Sequence, residues 1–154
     1  MRTIRRPEAF EPLVRQLAEI AHPISKRSIF ATMRELLCFA AVLGFSEQVR
    51  TPLERTNEID GRIFENSQQA IDLIYLLALA GSKDASILQP DREDEMIRIF
   101  EEYAATGLKV LDRWMKEKPD DVYGDQAILA ALRRYGFLSE QKSTVDDVIG
   151  NVKF

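Results

Sequence analysis

The stretch RSIFATMRELLCFAAVLGF, residues 27–45, is the most apolar segment of this 154-residue chain. Its charged residues lie near its start, and residues 36–45 carry no charge. Apolar side chains fall on two sides of a helix drawn through this stretch, which indicates burial on both sides. The sequence therefore predicts a central buried helix over about residues 28–44.

The ends of this central helix are predicted from two small residues. Ser28 is the expected N-cap, because its hydroxyl can accept a hydrogen bond from a backbone N–H group of the first turn. Gly44 is expected to end the helix in the left-handed conformation that glycine adopts without strain.

Helical periodicity or helix-end signals mark further segments, which are residues 8–21, 70–81, 91–118, 126–135 and, as a single turn, 144–149. Between residues 46 and 66 the periodicity is lost, and short apolar pieces on both sides of Asp60 predict a tiny β-hairpin near residues 57–65, between Ile59 and Ile63. The sequence thus predicts a mostly α fold, a single domain over residues 1–154. Five to six helices surround the central helix, and residues 137–154 form a loosely packed C-terminal tail.

The composition is that of a globular protein, with 45% hydrophobic and 30% charged residues. The longest uncharged apolar run is about half of the roughly 20 residues that cross a bilayer, so no membrane contact is expected. The single cysteine, Cys38, has no partner for an intrachain disulfide, and no signal-peptide pattern precedes the first helix. We therefore expect a cytoplasmic protein.

Charge is distributed unevenly along the chain. The net charge is −4, which argues against a general nucleic-acid binder. Of the 21 basic and 25 acidic residues, ten and eight lie in residues 1–62, and the other eleven and seventeen follow. This distribution fits either ordinary surface variation or a basic first part that meets a polyanion and an acidic second part that meets a basic partner.

No group of residues predicts a catalytic site, a cofactor or a metal ion. The single histidine, His22, precedes a proline in a helix-ending turn, and Cys38 is expected to be packed and inert. Neither a P-loop nor a dinucleotide-binding glycine pattern occurs. Acidic residues 91–95 and 101–102 suit a solvated helix start and an exposed helix face better than a cation site.

One spacing is that of a metal-dependent nuclease. Asp120 after a proline, followed by Glu140 and Lys142, matches the loose pattern in which two carboxylates hold magnesium beside a lysine. In that chemistry the second pair lies on a buried strand, whereas here it lies in a polar stretch. A nuclease is therefore the weakest alternative.

Several short motifs resemble those of a known family. They are the patterns Ile29-Phe30-x-Thr32-Met33-Arg34-x-Leu36, Phe39-Ala40-Ala41-x-Leu43-Gly44-Phe45, Arg50-x-Pro52-Leu53, Ile63-Phe64 and Ile99-Phe100-Glu101-Glu102-Tyr103-Ala104-x-x-Gly107-Leu108. Together they resemble the small bacterial proteins associated with the Dnd system, which are encoded beside DNA phosphorothioation genes. The resemblance covers roughly residues 27–111.

The resemblance implies the biological system in which the protein acts, and it implies no activity. In that setting sulfur replaces a non-bridging phosphate oxygen of DNA, alongside a linked restriction or antiviral apparatus. The resemblance carries no catalytic residues. The candidates for a contact with a partner are the polar residues at the matched positions, together with one basic residue at the start of the stretch. They are Arg27, Thr32, Arg34, Arg50, Glu101 and Glu102.

Two functions follow as hypotheses. The leading one is a non-enzymatic accessory protein of a prokaryotic DNA modification–restriction operon, which binds other proteins of that operon or another copy of itself. The alternative is direct DNA binding, with Arg27, Arg34 and Arg50 on phosphates. For Arg34 an ion pair or hydrogen bond within the chain is the simpler expectation.

Overall fold

The computed structural model describes residues 1–138. These residues form six α-helices and one two-stranded antiparallel sheet, which confirms the mostly α fold. The helices are α1 (Glu11–Ala18), α2 (Met33–Ser46), α3 (Gly61–Glu65), α4 (Gln68–Ser82), α5 (Glu93–Glu117) and α6 (Asp125–Arg134), and the strands are β1 (Ile4–Pro7) and β2 (Thr56–Ile59). The turn predicted at 144–149 and nearly all of the predicted tail lie outside the described residues.

Helices α2 and α5 cross at the centre of the fold, and two glycines lie at the crossing. A Cβ atom on Gly107 would lie 1.7 Å from the carbonyl oxygen of Ala40. A Cβ atom on Gly44 would lie 1.9 Å from the carbonyl oxygen of Tyr103. Neither distance leaves room for a methyl group, so the two backbones approach directly. The centre of the domain is therefore a helix pair.

Helix α2 begins later than predicted, because Thr32 and not Ser28 is its N-cap. The Thr32 hydroxyl accepts a hydrogen bond from the backbone N–H of Glu35 at 3.1 Å. The Glu35 carboxylate in turn accepts one from the backbone N–H of Ala31 at 3.0 Å. This reciprocal arrangement resembles a capping box and satisfies N–H groups at the helix start.

The other predictions for α2 also change. The helix continues through Gly44 to Ser46, so this glycine is a packing residue and not the predicted left-handed cap. The predicted burial on both sides is incomplete. Val42 is 47% exposed, and Cys38 and Phe39 are half-buried. One side of α2 therefore meets α5, and the opposite side is partly in solvent.

Of the two segments of the predicted hairpin, around Ile59 and Ile63, the sheet contains only the first. Strand β2 pairs with β1 at the start of the chain, with Ile4 opposite Ile59. The expected partner, residues 63–64, lies on α3 instead. Helix α3 starts where Asp60 accepts a hydrogen bond from the backbone N–H of Arg62 at 3.0 Å. The predicted hairpin turn is thus a helix cap, and the strand pairing is long-range.

The remaining helices lie close to their predicted positions. The segment predicted as the first helix is a 3-10 turn, Glu8–Phe10, followed by the shorter α1. Helix α4 continues through Gly81 to Ser82, and Lys83 takes the left-handed conformation after it. No helix in the described part of the chain is long and apolar enough to span a membrane.

Candidate binding groove

A groove lies where two chain segments meet helix α5, and we call it the α5 groove. One wall is residues 7–10, which begin at the last residue of β1, and the other wall is residues 51–55. Its floor is formed by Ala105 and Lys109, which are one helical turn apart on α5. The groove has a volume of about 690 Å³.

The α5 groove is lined by apolar side chains, with exposed charged side chains at its rim on both walls and on α5. Phe10 and Leu53, one on each wall, line the groove and are half-buried. The exposed charged residues of the groove carry both signs, and they are Glu8, Glu54, Arg55 and Lys109. A concave apolar surface with a few polar groups around it is the usual form of a binding site.

The first wall is fastened to α5 by the carboxylate of Glu101, which is only 3% exposed. It accepts hydrogen bonds from the Arg2 guanidinium at 2.6 and 3.0 Å, and from the backbone N–H of Arg5 at 2.7 Å. The side-chain hydrogen bonds to Glu101 raise the pKa of Arg2 above its usual value. These contacts hold β1, and with it the chain that enters the wall, on α5.

The second wall is fastened by the next residue, Glu102. The Arg50 side chain donates to the Glu102 carboxylate at 2.8 Å, and the backbone N–H of Thr51 donates to the Glu102 carbonyl oxygen at 3.1 Å. The hydroxyl of Thr106, one turn further, lies 2.8 Å from that of Thr51 and donates to the carbonyl oxygen of Val49 at 2.8 Å. Consecutive glutamates of α5 therefore hold opposite walls of one groove.

The other candidate residues lie away from the α5 groove. Thr32 caps α2, as described above, and the Arg34 guanidinium donates to the carbonyl oxygen of Ile63 at 2.8 Å, which joins α2 to α3. Arg27 is exposed in the segment between α1 and α2, where its carbonyl oxygen accepts from the backbone N–H of His22. Arg50, Glu101 and Glu102 thus hold the walls of the α5 groove without lining it, and the other three candidates lie elsewhere.

Placing Glu101 on an exposed helix face was wrong. Its side chain lies in the buried stripe of α5, one turn from Ile97 and one turn from Ala105, which are both fully buried. This helical spacing is visible in the sequence and could have identified a buried carboxylate. The partner Arg2 had no such signal, because it lies 99 residues away in the chain.

The structure gives no catalytic arrangement to the described residues that were considered for catalysis or metal binding. His22 accepts a hydrogen bond at Nδ1 from the backbone N–H of Ile24 at 3.1 Å, and its ring centroid lies 5.0 Å from that of Tyr123. Within residues 1–138, no group of three or more His, Cys, Asp or Glu side chains is placed to hold a metal ion. Asp120 is exposed, and the other nuclease-pattern residues, Glu140 and Lys142, lie outside the described residues.

Comparison with curated proteins and with solved structures finds no match. A family model, described as DNA sulphur modification system-associated protein 4, matches residues 3–148. The matched region includes both walls of the α5 groove and the whole of α5. The chain therefore belongs to the family of DNA sulphur modification system-associated protein 4, in agreement with the resemblance found in its motifs.

Proposed function

We propose that this chain is a non-enzymatic accessory protein of its DNA sulphur modification system, and that it binds another protein of the same operon in the α5 groove. The groove itself carries the proposal, because its two walls come from distant segments that buried and partly buried polar contacts hold on one helix. The family supplies the setting, since its members are associated with such a system.

The surface of the groove suits an extended segment of protein. Its walls present Phe10 and Leu53 to an apolar side chain, whose burial would favour binding. Charges of both signs at the rim suit a segment with mixed charge. A continuous phosphate backbone would meet Glu8 and Glu54 as well as Arg55 and Lys109.

A protein partner is also favoured over direct DNA binding by the state of the candidate arginines. Arg34 donates to the carbonyl oxygen of Ile63, and Arg50 to the carboxylate of Glu102. A phosphate contact at either residue would have to replace a hydrogen bond within the chain, which lowers the net gain. Arg27 and Arg50 are both exposed in loops, and of these two Arg50 is paired with Glu102.

The test is co-expression of the chain with each protein of its own modification system, followed by co-purification and measurement of the dissociation constant. One of these proteins should form a stoichiometric complex. Leu53→Arg places a charge in the groove wall and should weaken the complex at least tenfold, as expected for a central interface residue. The matched control is Leu129→Arg on α6, which is 41% exposed outside the groove and should leave the affinity unchanged.

Two results would contradict the proposal. One is the absence of a complex with every protein of the system, and the other is equal affinity for the Leu53→Arg variant and the wild type. A parallel titration with labelled duplex DNA at low and high salt tests the alternative, which is direct DNA binding. DNA binding that weakens steeply with salt and is reduced by Arg27→Ala would instead support phosphate contacts.

A further inference from the structure

Helix α4 carries an apolar strip on the side that faces away from the core. Leu76 is 62% exposed, Tyr75 is 38% exposed and Leu79 is half-buried. The core side of the same helix is formed by other residues, which are Ala70, Ile74, Leu77 and Ala78. A leucine with most of its surface in water, beside two further large apolar residues, indicates a contact surface.

The strip is bounded by one charge of each sign. Asp72 precedes it and Lys83 follows it, and both are exposed. Residues 72, 76 and 79 are spaced four and three apart, so they lie in one line on the helix, as in the seam of a coiled coil. Lys83, four residues further, is the left-handed residue directly after the last turn. Asp72 accepts a hydrogen bond from the neutral amide of Gln68 at 2.7 Å, and that contact leaves its charge available.

We propose that α4 packs against α4 of a second copy of this chain, antiparallel about a two-fold axis between Leu77 and Ala78. In this arrangement Leu76 lies opposite Leu79 of the second copy. Asp72 lies opposite Lys83 of the second copy, and the two-fold axis repeats that pair at the other end. The order of acid, leucine, leucine and base thus matches the same order read in the opposite direction on the second copy, with an acid opposite a base and a leucine opposite a leucine.

This self-complementarity is the reason for choosing a second copy as the partner. A parallel pair of α4 helices would place Asp72 against Asp72 and Lys83 against Lys83, and like charges at such positions oppose association. A surface with charges of one sign at both ends would favour a different protein with the opposite sign. The strip shares no residue with the α5 groove, so its test is independent of the proposed function.

The experiment is analytical ultracentrifugation of the full chain over a range of concentrations. The wild type should show a monomer–dimer equilibrium, with a monomer of 17.6 kDa. Leu76→Lys should abolish the dimer and leave the circular dichroism spectrum of the monomer unchanged, because the side chain is largely exposed. Leu129→Lys on α6, also an exposed leucine, is the matched control and should retain the dimer.

A charge reversal then tests the antiparallel pairing. Asp72→Lys and Lys83→Asp should each raise the dissociation constant at least tenfold, since each creates two like-charge contacts. The double variant restores opposite charges at both ends and should return to within about threefold of the wild type. A monomer at all concentrations, a dimer that survives Leu76→Lys, or a double variant no tighter than the single variants would each overturn the proposal.

Discussion

Helix α5 holds the rest of the chain in two different ways within two turns. At Gly107 its backbone closely approaches the backbone of α2 at Ala40. At Glu101 and Glu102 it holds the N-terminal strand and the 49–55 segment through carboxylates and carbonyl oxygens. The contact at Gly107 depends on the small size of glycine, and the contacts at Glu101 and Glu102 depend on hydrogen-bond acceptors. Substitutions that change one property at a time should therefore affect the two regions differently.

The largest effect is expected for Gly107→Ala. The added methyl group would lie 1.7 Å from the carbonyl oxygen of Ala40, so the two central helices must separate. We expect a loss of about 3 kcal/mol or more in the free energy of unfolding, measured by urea denaturation. Helix propensity alone would favour alanine by about 1 kcal/mol, so a loss isolates the steric effect.

Gly136→Ala is the matched control for this prediction. Gly136 has a φ of +81° and no atom within 4 Å of an added Cβ, so its substitution costs only the left-handed conformation, about 1 kcal/mol. Gly44→Ala should resemble Gly107→Ala, because it meets the carbonyl oxygen of Tyr103 at the same crossing. Equal losses at Gly136 and Gly107 would show that the crossing is not close-packed.

The second prediction concerns Glu101→Gln, which keeps the shape of the side chain and removes its charge. Two donors from Arg2 and one from the backbone of Arg5 would then face an amide with a single acceptor oxygen. We expect a loss of about 2 kcal/mol in the free energy of unfolding. The amide proton of Arg5 should also exchange faster with solvent, as measured by hydrogen exchange.

Glu101→Gln also tests whether the attachment of β1 to α5 matters for the proposed binding of a protein in the α5 groove. Because the first wall follows β1, weaker attachment of β1 should lower the affinity of the α5 groove for its protein partner. A variant with unchanged Arg5 exchange and unchanged stability would mean that the carboxylate does not hold the strand.

A smaller effect is expected for Glu102→Gln. The Arg50 side chain that it pairs with is 34% exposed, so solvent screens the pair and we expect a loss of about 0.5 kcal/mol. The bond from the Thr51 N–H to the Glu102 carbonyl oxygen does not depend on the side chain and should persist. Urea denaturation at low and high salt measures the difference, which should shrink with salt. A loss as large as that of Glu101→Gln would mean that burial does not distinguish the two glutamates.

Most helices of this fold could be predicted from the sequence, because their signals are local. Apolar periodicity and charged ends located α4, α5 and α6 to within a few residues. The start of α2 was misplaced since Ser28 and Thr32 are both acceptable N-caps and only one is used. The role of Gly44 was also missed, because a glycine that ends a helix and one that permits a close crossing look alike in sequence.

The α5 groove could be predicted only in part. The motifs select Arg50, Glu101 and Glu102 as possible contact residues. In the structure these residues hold the groove walls on α5, and none of them lines the groove. The groove itself was not predicted, since its lining comes from three segments that are separated in the chain. Strand β1 was missed for the same reason: a four-residue strand whose partner is distant leaves little local pattern.

The last prediction concerns Cys38, which is half-buried on the side of α2 that faces away from α5. Burial raises the pKa of its thiol to about 11, against a smaller lowering by Arg34. At pH 8 roughly one thiol in a thousand is then ionised, so alkylation by iodoacetamide should be roughly a hundredfold slower than in the urea-unfolded chain. The rate should rise about tenfold per pH unit up to pH 10, followed by mass spectrometry.

One outcome would contradict this prediction. If the folded and unfolded chains are alkylated at the same rate at pH 8, the Cys38 thiol is not desolvated, and the half-buried side of α2 is open to solvent.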